Sequence, residues 1–283
     1  TTNAIKTEPN SDSILSTIDD NSNLEVNPDD NLKNGVSTQK SFRDLNDTIN
    51  GVNQGDKINL TENYIYDSTK DADFNRGILI DRSVTIYGNG ITIDGAKTVK
   101  IFDVARGNVV FCGITFINGN STTGGGAIFG NSICNVTVIN CTFANNWADL
   151  HGGAIAYVRA INCTFTSNSA GVDGGAMVDG SAINCTFTNN YAGSSGGAMQ
   201  NSSAVNCIFS SNYAKVCGGA MSEGNAINCT FLLNYRIIPS SENPNYYETS
   251  CKNCVEYNSA AFSFSGSIFD SRLLFDAKDD SGR

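Results

Sequence analysis

Five cysteines recur at a fixed interval of 22 residues, and this interval restricts the chain to a repeat architecture. They are Cys141, Cys163, Cys185, Cys207 and Cys229, and each lies in nearly the same word, as in INCTFTSN and INCTFTNN. A Gly-Gly-Ala word has the same period and begins at Gly152, Gly174, Gly196 and Gly218. Such a short, regular repeat is typical of stacked units that contact mainly their neighbours.

The residues around each cysteine alternate between apolar and polar side chains. In Ile161-Asn162-Cys163-Thr164-Phe165, strand geometry predicts that Ile, Cys and Phe face one side while Asn and Thr face the other. We therefore expect a core made of the cysteine column and of a phenylalanine column that comprises Phe143, Phe165, Phe187, Phe209 and Phe231. The cysteines would be buried thiols, because in-register neighbours on parallel strands have poor geometry for a disulfide.

The first repeat is less regular, since Phe116 precedes Phe143 by 27 residues. This offset aligns Ile114 with Cys141 and Cys112 with Ile139. Exchange between cysteine and apolar residues is typical of core positions, so we expect the core columns to include this earlier turn.

Two further words predict the corners of each turn. An asparagine follows each phenylalanine by three residues, at Asn146, Asn168, Asn190, Asn212 and Asn234. Its side-chain amide is expected to bond to the copy in the next turn, forming a ladder. The Gly-Gly pairs are expected to supply positive φ angles at another corner, since glycine adopts them without steric cost.

A unit of about 22 residues suits one turn of a three-faced parallel β-helix with short strands. Leucine-rich repeats have a similar length, but the units lack their leucine pattern and contain no helical segment. Residues 107–235 hold only six charged side chains and are rich in Gly, Asn, Ser and Thr, which favours strands and turns. The sequence therefore predicts an all-β solenoid.

The chain divides into four predicted segments. Residues 1–40 are acidic and polar and are expected to be disordered. Residues 41–55 are expected to hold a short capping helix, with Ser41 as N-cap and with Phe42, Leu45 and Ile49 on one face. The β-helix is expected over 56–265, with an insertion at 236–248 and a degraded repeat near Cys254. A final strand and a frayed tail are expected over 266–283.

The net charge of −10 and the pI near 4.5 argue against a nucleic-acid partner, because phosphate binding needs a basic surface. No apolar run approaches the roughly 18 residues of a membrane span. Because the chain begins with Thr1 rather than Met, we expect it to be a piece of a longer protein.

The paired words GGA-[I/M] and F-x-x-N resemble the polymorphic outer-membrane protein repeats of bacterial surface adhesins. The lead-in VTIYGNGITIDG at 84–95, followed by GITFINGN at 113–120, resembles adhesin-like surface proteins of methanogenic archaea. The resemblance covers about residues 41–235. It implies a right-handed parallel β-helix, similar in shape to pectate lyases, that is extracellular, displayed on the cell surface and anchored to the envelope. It implies adhesion and carries over no catalytic residue.

The residue after each ladder asparagine is often aromatic, which gives the series Trp147, Ser169, Tyr191, Tyr213 and Tyr235. Exposed aromatic side chains could stack on sugars or anchor a protein partner, or they could instead shield the edges of the turns. The polar columns offer a second candidate surface, represented by Asn162, Thr164, Asn184 and Thr186. These columns could also carry glycans, since Asn-Cys-Thr is a sequon at residues 140, 162, 184 and 228.

An enzyme of this shape would need a polar cluster on one face, for which the turns offer Asp149, Asp173, Asp179 and Arg159. These residues fall short of a convincing site. His151 is expected to be a surface turn residue, and the Cys251-x-x-Cys254 pair lacks the further ligands that zinc requires. We therefore predict no metal and no cofactor.

The favoured function is a non-catalytic, adhesin-like module at the cell surface. Its partner would be a glycan or protein on a host or neighbouring cell. The alternatives are a polysaccharide lyase or hydrolase that uses Asp149, Asp173 and Arg159, and a purely structural spacer.

Overall fold

Parallel strands stacked turn upon turn form nearly the whole structure, a computed structural model that describes residues 39–236, 249–252 and 255–257 and the side chains up to Tyr235. It is an all-β parallel solenoid of about nine turns of roughly 22 residues, which confirms the predicted fold class. The predictions for the acidic N-terminal segment, the insertion and the C-terminal tail fall on residues outside this description. The segment boundaries therefore stay predictions.

Three parallel sheets run along the solenoid. The phenylalanine sheet contains β1 (Lys40–Ser41), β3 (Tyr64–Ile65), β6 (Thr92–Asp94), β9 (Thr115–Ile117), β13 (Thr142–Ala144), β17 (Thr164–Thr166), β21 (Thr186–Thr188), β24 (Ile208–Ser210), β27 (Thr230–Leu232) and β30 (Val255–Tyr257). The aromatic sheet contains β10 (Asn120–Ser121), β14 (Trp147–Ala148), β18 (Ser169–Ala170), β22 (Tyr191–Ala192), β25 (Tyr213–Ala214) and β28 (Tyr235–Arg236).

The wide sheet takes two strands from many turns. Its strands are β2 (Lys57–Asn59), β4 (Ile78–Ile80), β5 (Val84–Tyr87), β7 (Phe102–Val104), β8 (Asn108–Cys112), β11 (Ile128–Phe129), β12 (Asn135–Ile139), β15 (Ile155–Ala156), β16 (Val158–Ile161), β19 (Met177–Val178), β20 (Ser181–Ile183), β23 (Met199–Val205), β26 (Met221–Ile227) and β29 (Thr249–Lys252). The predicted 27-residue offset is confirmed, because Phe143 pairs with Phe116 and Ile139 pairs with Cys112.

The phenylalanine column forms the centre of the core. Phe116 and the five predicted phenylalanines are buried, and neighbouring rings stack 4.7–4.9 Å apart within 12° of parallel. This spacing equals the distance between adjacent strands, so in-register pairing places each ring on the ring of the next turn.

The cysteine column is also buried, and each of its five members is a free thiol. The backbone N–H of Cys163 donates to the Sγ of Cys185 at 3.3 Å, and that of Cys185 donates to the Sγ of Cys207 at 3.4 Å. Burial raises the pKa of Cys163, and hydrogen bonds from the neighbouring thiols act in the same direction. The five cysteines thus pack inside the core as small buried side chains.

One detail of the predicted strand is wrong. Asn162 has a φ of 53° and ends the wide-sheet strand, while Cys163 precedes the next strand, so the five-residue word bends around a corner. The alternation of faces therefore resets at Asn162. Ala160, with no exposed surface, faces the core, whereas Ile161 is only half-buried.

The predicted asparagine ladder is present and buried at the corner between the phenylalanine and aromatic sheets. Asn168 Nδ2 donates to Asn190 Oδ1 at 3.1 Å, and Asn190 Nδ2 donates to Asn212 Oδ1 at 2.9 Å. The Asn190 amide also donates to the Phe165 carbonyl at 3.1 Å, and its oxygen accepts the Asn168 backbone N–H at 2.9 Å. Each interior amide is thereby satisfied, which burial requires.

The two glycines of the Gly-Gly pair have different roles. Gly174 has a φ of 63°, as the prediction of positive φ requires. Gly175 instead needs the absence of a side chain, because a Cβ there would clash with the carbonyl oxygen of Gly197 in the next turn. The close approach of successive turns therefore leaves no room for a side chain at Gly175.

Helix α1 (Phe42–Asn50) packs on the first turns. Ser41 is its N-cap and forms a capping box with Asp44, and Phe42, Leu45 and Ile49 are fully buried, as predicted. Within the described ranges, no helix has both the length and the apolar character needed to span a bilayer.

Candidate binding surface

The predicted aromatic residues occupy one outward position of the aromatic sheet. Trp147 pairs with Ser169, Ser169 with Tyr191, Tyr191 with Tyr213, and Tyr213 with Tyr235. From Ala148 to Ala214 the second residue of each strand is a buried alanine, because neighbouring residues of a strand face opposite sides. We call the series Trp147, Ser169, Tyr191, Tyr213 and Tyr235 the aromatic column.

The tyrosines of the aromatic column cover one another. The rings of Tyr191 and Tyr213 lie 4.7 Å apart at 34°, and those of Tyr213 and Tyr235 lie 5.3 Å apart at 5°. Stacking at this distance buries ring faces and leaves mainly edges for solvent. Burial raises the pKa of Tyr213, and the adjacent Tyr235 and Tyr191 act in the same direction. The middle of the aromatic column therefore resembles a shield over the turn edges more than a set of open platforms.

Trp147 differs from the tyrosines because no other aromatic ring contacts it in the described part of the chain. Its neighbours along the column are Asn120 and Ser169, which are both smaller than an aromatic ring. The indole Nε1 donates to Asp149 Oδ1 at 2.7 Å, and the side chain is 39% exposed. Trp147 is thus a large ring, fixed by a hydrogen bond, that can accept a flat partner.

A cavity of about 340 Å³ lies beside this indole. We call it the tryptophan cavity, and its lining includes Lys97, Asn120, Asn145, Trp147, Ser167 and Ser169. Its volume is at the lower end of the range for ligand pockets. The aromatic column therefore begins at a concave site with both apolar and polar walls.

The same outward position continues into the turns before Trp147. Asn120 pairs with Trp147, its backbone N–H donates to the Val99 carbonyl at 2.8 Å, and its Nδ2 donates to the Lys97 carbonyl at 2.9 Å. A second cavity of about 380 Å³ opens here and shares Asn120 as a wall. We call it the basic cavity, and its lining includes Arg76, Lys100, Asp103, Asn120, Thr122 and Thr123.

Two cationic side chains line the basic cavity, and an ion pair neutralises only one of them. Lys100 is only 8% exposed; its Nζ lies 3.4 Å from Asp103 Oδ2 and 4.6 Å from the centre of the Phe129 ring. Arg76 is exposed, as is Lys97 in the neighbouring tryptophan cavity. Neither forms an ion pair with any residue that the structure describes.

Sequence reasoning missed these residues. They precede the regular 22-residue repeat, so the period gives no register for them. The available signal was charge, since Arg76, Lys97 and Lys100 precede a stretch, 107–235, that holds only six charged side chains.

The predicted polar columns lie apart from the aromatic column. Asn162 and Asn184 are exposed at the corner between the wide and phenylalanine sheets, and Thr164 and Thr186 follow on the phenylalanine sheet. The Asn184 Oδ1 accepts a hydrogen bond from Asn206 Nδ2 at 3.2 Å. The two predicted candidate surfaces thus lie on different faces of the solenoid, and their role in binding stays a prediction.

The residues considered for catalysis have separate local partners. Asp149 holds the indole, and Asp173 lies 3.4 Å from His151 Nδ1 and accepts the Ser195 N–H at 3.0 Å. Asp173 is paired with His151 across turns, whereas Asp149 lies against Gly171, so Asp149 and Asp173 do not occupy equivalent positions of their turns. Asp149 follows its phenylalanine by six residues and Asp173 follows its own by eight, so the two acids belong to different positions of the repeat.

Arg159 lies on the wide sheet, in strand β16. Asp179 lies at the bend between β19 and β20, the two strands that one turn adds to this sheet. Arg159 pairs with Thr137 and Ser181, and no hydrogen bond or ion pair of the described residues joins it to an acid. Asp179 accepts a hydrogen bond from the Asn201 amide, and its hydrogen bond to the Tyr157 hydroxyl raises the Tyr157 pKa. The described residues contain no cluster of three or more His, Cys, Asp or Glu side chains placed to hold a metal.

Residues 140–156, which include Trp147 and Asp149, match the Chlamydia polymorphic membrane protein repeat. This match supports the repeat type that the GGA-[I/M] and F-x-x-N words resemble. Comparisons with curated proteins and with solved structures give no match.

Proposed function

We propose that this chain is a non-catalytic, adhesin-like module displayed outside the cell, and that its ligand binds at Trp147. The observation that carries the proposal is the open indole beside the tryptophan cavity, at the head of the aromatic column. Tryptophan is, with tyrosine and arginine, enriched among the residues that dominate binding energy at interfaces. The match of residues 140–156 to a membrane-protein repeat supports a surface location.

A saccharide is the ligand class that best suits this site. The apolar face of a sugar ring can pack on the indole, while its hydroxyl groups can pair with the polar walls supplied by Asn120, Asn145 and Ser169. The resemblance of residues 84–95 and 113–120 to archaeal surface proteins supports display on an envelope, where such ligands are abundant. We further propose that the chain belongs to a longer envelope-anchored protein.

A glycan array and a cell-binding assay test the proposal with three proteins: the unmodified chain, Trp147→Ala and Ile133→Ala. Ile133 is 81% exposed and lies outside both cavities, so its variant controls for loss of a large exposed apolar side chain. We expect array hits that weaken about 30-fold in Trp147→Ala, the size of a hot-spot loss, and that persist in Ile133→Ala. Hits of unchanged affinity in Trp147→Ala would contradict the proposed site. Absence of any hit or cell binding would favour the structural spacer.

A further inference from the structure

We propose that the ligand is an anionic saccharide, with a sugar ring on Trp147 and its acidic group between Lys97 and Arg76. This inference rests on the proposed function, because it specifies the ligand class of the same surface. It follows from the charges that line the two cavities.

The two cavities have the opposite charge from the chain as a whole. The chain carries a net charge of −10, yet Arg76, Lys97 and Lys100 line the cavities with only one carboxylate, Asp103. Clefts that concentrate one sign of charge raise the local concentration of the opposite ion. Here a carboxylate or sulfate group is attracted to one small region of an acidic protein.

Within this region, Lys100 and Asp103 compensate each other, while the remaining two cations are available. Burial of Lys100 is tolerated because Asp103 and the face of Phe129 both contact its ammonium group. Arg76 and Lys97 are exposed and have no carboxylate of the described residues within ion-pair distance. An incoming anion would therefore find two cations that no internal partner occupies.

The backbone that carries Lys97 is held in a fixed turn. Lys97 has a φ of 57°, its N–H donates to the Asn118 carbonyl at 2.7 Å, and the following Thr98 N–H donates to Gly95 at 2.9 Å. A lysine rarely adopts this backbone conformation, so the surrounding turn imposes it. Such preorganisation reduces the entropy lost when an anion binds.

Lys97 and the indole are close enough for one short ligand, and Arg76 lies one turn further from the indole. Lys97, Asn120 and Trp147 lie on three successive turns, and turns are about 4.8 Å apart, so the outer two are separated by about 10 Å along the solenoid. The shared wall at Asn120 joins the two cavities, and Thr122 and Thr123 supply hydroxyl groups nearby. An acidic peptide would satisfy the cations, but it would not use the open indole face and the hydroxyl-rich walls together.

The experiment compares matched acidic and neutral probes. A labelled oligogalacturonate and its methyl ester differ only in the carboxylate charge, and a sulfated oligosaccharide and its desulfated form test the other source of negative charge. Affinities are measured by fluorescence polarisation at low and at physiological salt, for the unmodified protein, Arg76→Gln/Lys97→Gln and Trp147→Ala. Lys57→Gln/Arg106→Gln is the charge-matched control, since both of its residues lie outside the cavities.

We expect at least one acidic probe to bind at least about tenfold more tightly than its neutral form, because the neutral form cannot make the charged hydrogen bonds. This preference should weaken with salt, disappear in Arg76→Gln/Lys97→Gln and persist in the control. Equal affinity for acidic and neutral probes, or an equal loss in the control, would overturn the inference. If either of these results were found while Trp147→Ala lost binding, the proposed saccharide site at Trp147 would still be supported, without a preference for anionic ligands. If Trp147→Ala bound every probe as the unmodified protein does, or if no saccharide bound, the proposed function would fail as well.

Discussion

Asparagine has two distinct roles in each turn, and both depend on properties that few residues share. At the exposed corner, Asn162 and its equivalents have φ angles near 53°, which asparagine tolerates better than other side chains with a Cβ. At the buried corner, the ladder asparagines use their amides as donor and acceptor at once. The sequence predicts the ladder because the residue recurs at one position. It does not predict the left-handed corner, since periodicity alone cannot separate a strand residue from a turn residue.

Substitution of a ladder residue should be costly. Asn190→Ala removes the acceptor of the Asn168 backbone N–H and one partner each of the Asn168 amide, the Phe165 carbonyl and the Asn212 oxygen, all buried. At about 1–3 kcal/mol for the unsatisfied N–H and about 1 kcal/mol for each other lost hydrogen bond, we expect the free energy of unfolding to fall by about 4 kcal/mol. Urea denaturation measures this change.

Asn184→Ala is the matched control, because Asn184 is exposed at the other corner of the same turn, with a φ of 53°. It should cost only about 1 kcal/mol, the strain of a left-handed alanine. Equal losses for the two variants would contradict the account of the ladder.

Leu233 stands at a position where other turns place asparagine or serine. Its φ is 52°, and its side chain is 57% exposed, so it combines backbone strain with little burial. We expect Leu233→Asn to increase the free energy of unfolding by about 1 kcal/mol, as relief of left-handed strain predicts. Thermal denaturation followed by circular dichroism would show a higher midpoint.

Ile208→Asn serves as the comparison for Leu233→Asn. Ile208 is also exposed, but it lies in a regular strand of the phenylalanine sheet, where asparagine is less favourable than isoleucine. It should lower the midpoint. A rise in both variants would mean that loss of exposed apolar surface, and not backbone strain, is responsible.

At the scale of elements, helix α1 depends on a residue far from it in the sequence. The carboxylate of Asp71 is fully buried and accepts the N–H groups of Phe42 at 3.0 Å, Arg43 at 2.9 Å and Asp67 at 2.8 Å. The sequence predicts the helix from Ser41 and its apolar face, because these signals are local. It cannot predict the Asp71 contact, since the partners are separated by 28–29 residues and brought together by the first turn.

Asp71→Asn should detach the helix from the first turn. The substitution removes a charge that stabilises the helix N-terminus and places an NH₂ group against backbone donors. We expect a loss of about 2–3 kcal/mol in the free energy of unfolding, the range for a hydrogen-bonded buried charge, measured by urea denaturation.

Asp73→Asn provides the control for Asp71→Asn. Asp73 forms an exposed ion pair with Arg43 at 2.7 Å, and exposed pairs contribute about 0–1 kcal/mol. If Asp73→Asn destabilised the protein as much as Asp71→Asn does, the buried Asp71 carboxylate would contribute no more to the attachment of helix α1 than the surface ion pair, which would contradict this account of the helix.

At the scale of the whole molecule, the 22-residue period determines what could be predicted. Within the period, the two core columns, the ladder and the aromatic column follow from the recurrence of residues such as Phe187 and Asn190. The cavities could not be predicted, because Arg76, Lys97 and Lys100 lie in turns of irregular length whose register only the three-dimensional structure gives. The covered ring faces of Tyr191 and Tyr213 could not be predicted either, because ring orientation depends on packing between turns.

The whole-molecule distribution of contacts also separates stability from binding. The stacked core, ladder and helix cap lie inside the solenoid or at its first turn, whereas Trp147 and the two free cations lie on its outer surface. Surface substitutions away from buried partners usually change stability little. Variants at the cavities can therefore report on binding while the solenoid stays folded.

Fluorescence of Trp147 reports on the proposed binding site alone, because the chain contains one tryptophan. Acrylamide quenching is measured with and without a saturating saccharide chosen from the array, and the oligogalacturonate is the first probe. We expect the bound saccharide to cover the indole, to lower the quenching constant and to shift the emission to shorter wavelength. A saccharide that binds while the quenching and emission of Trp147 stay unchanged would place the binding site elsewhere and contradict the account.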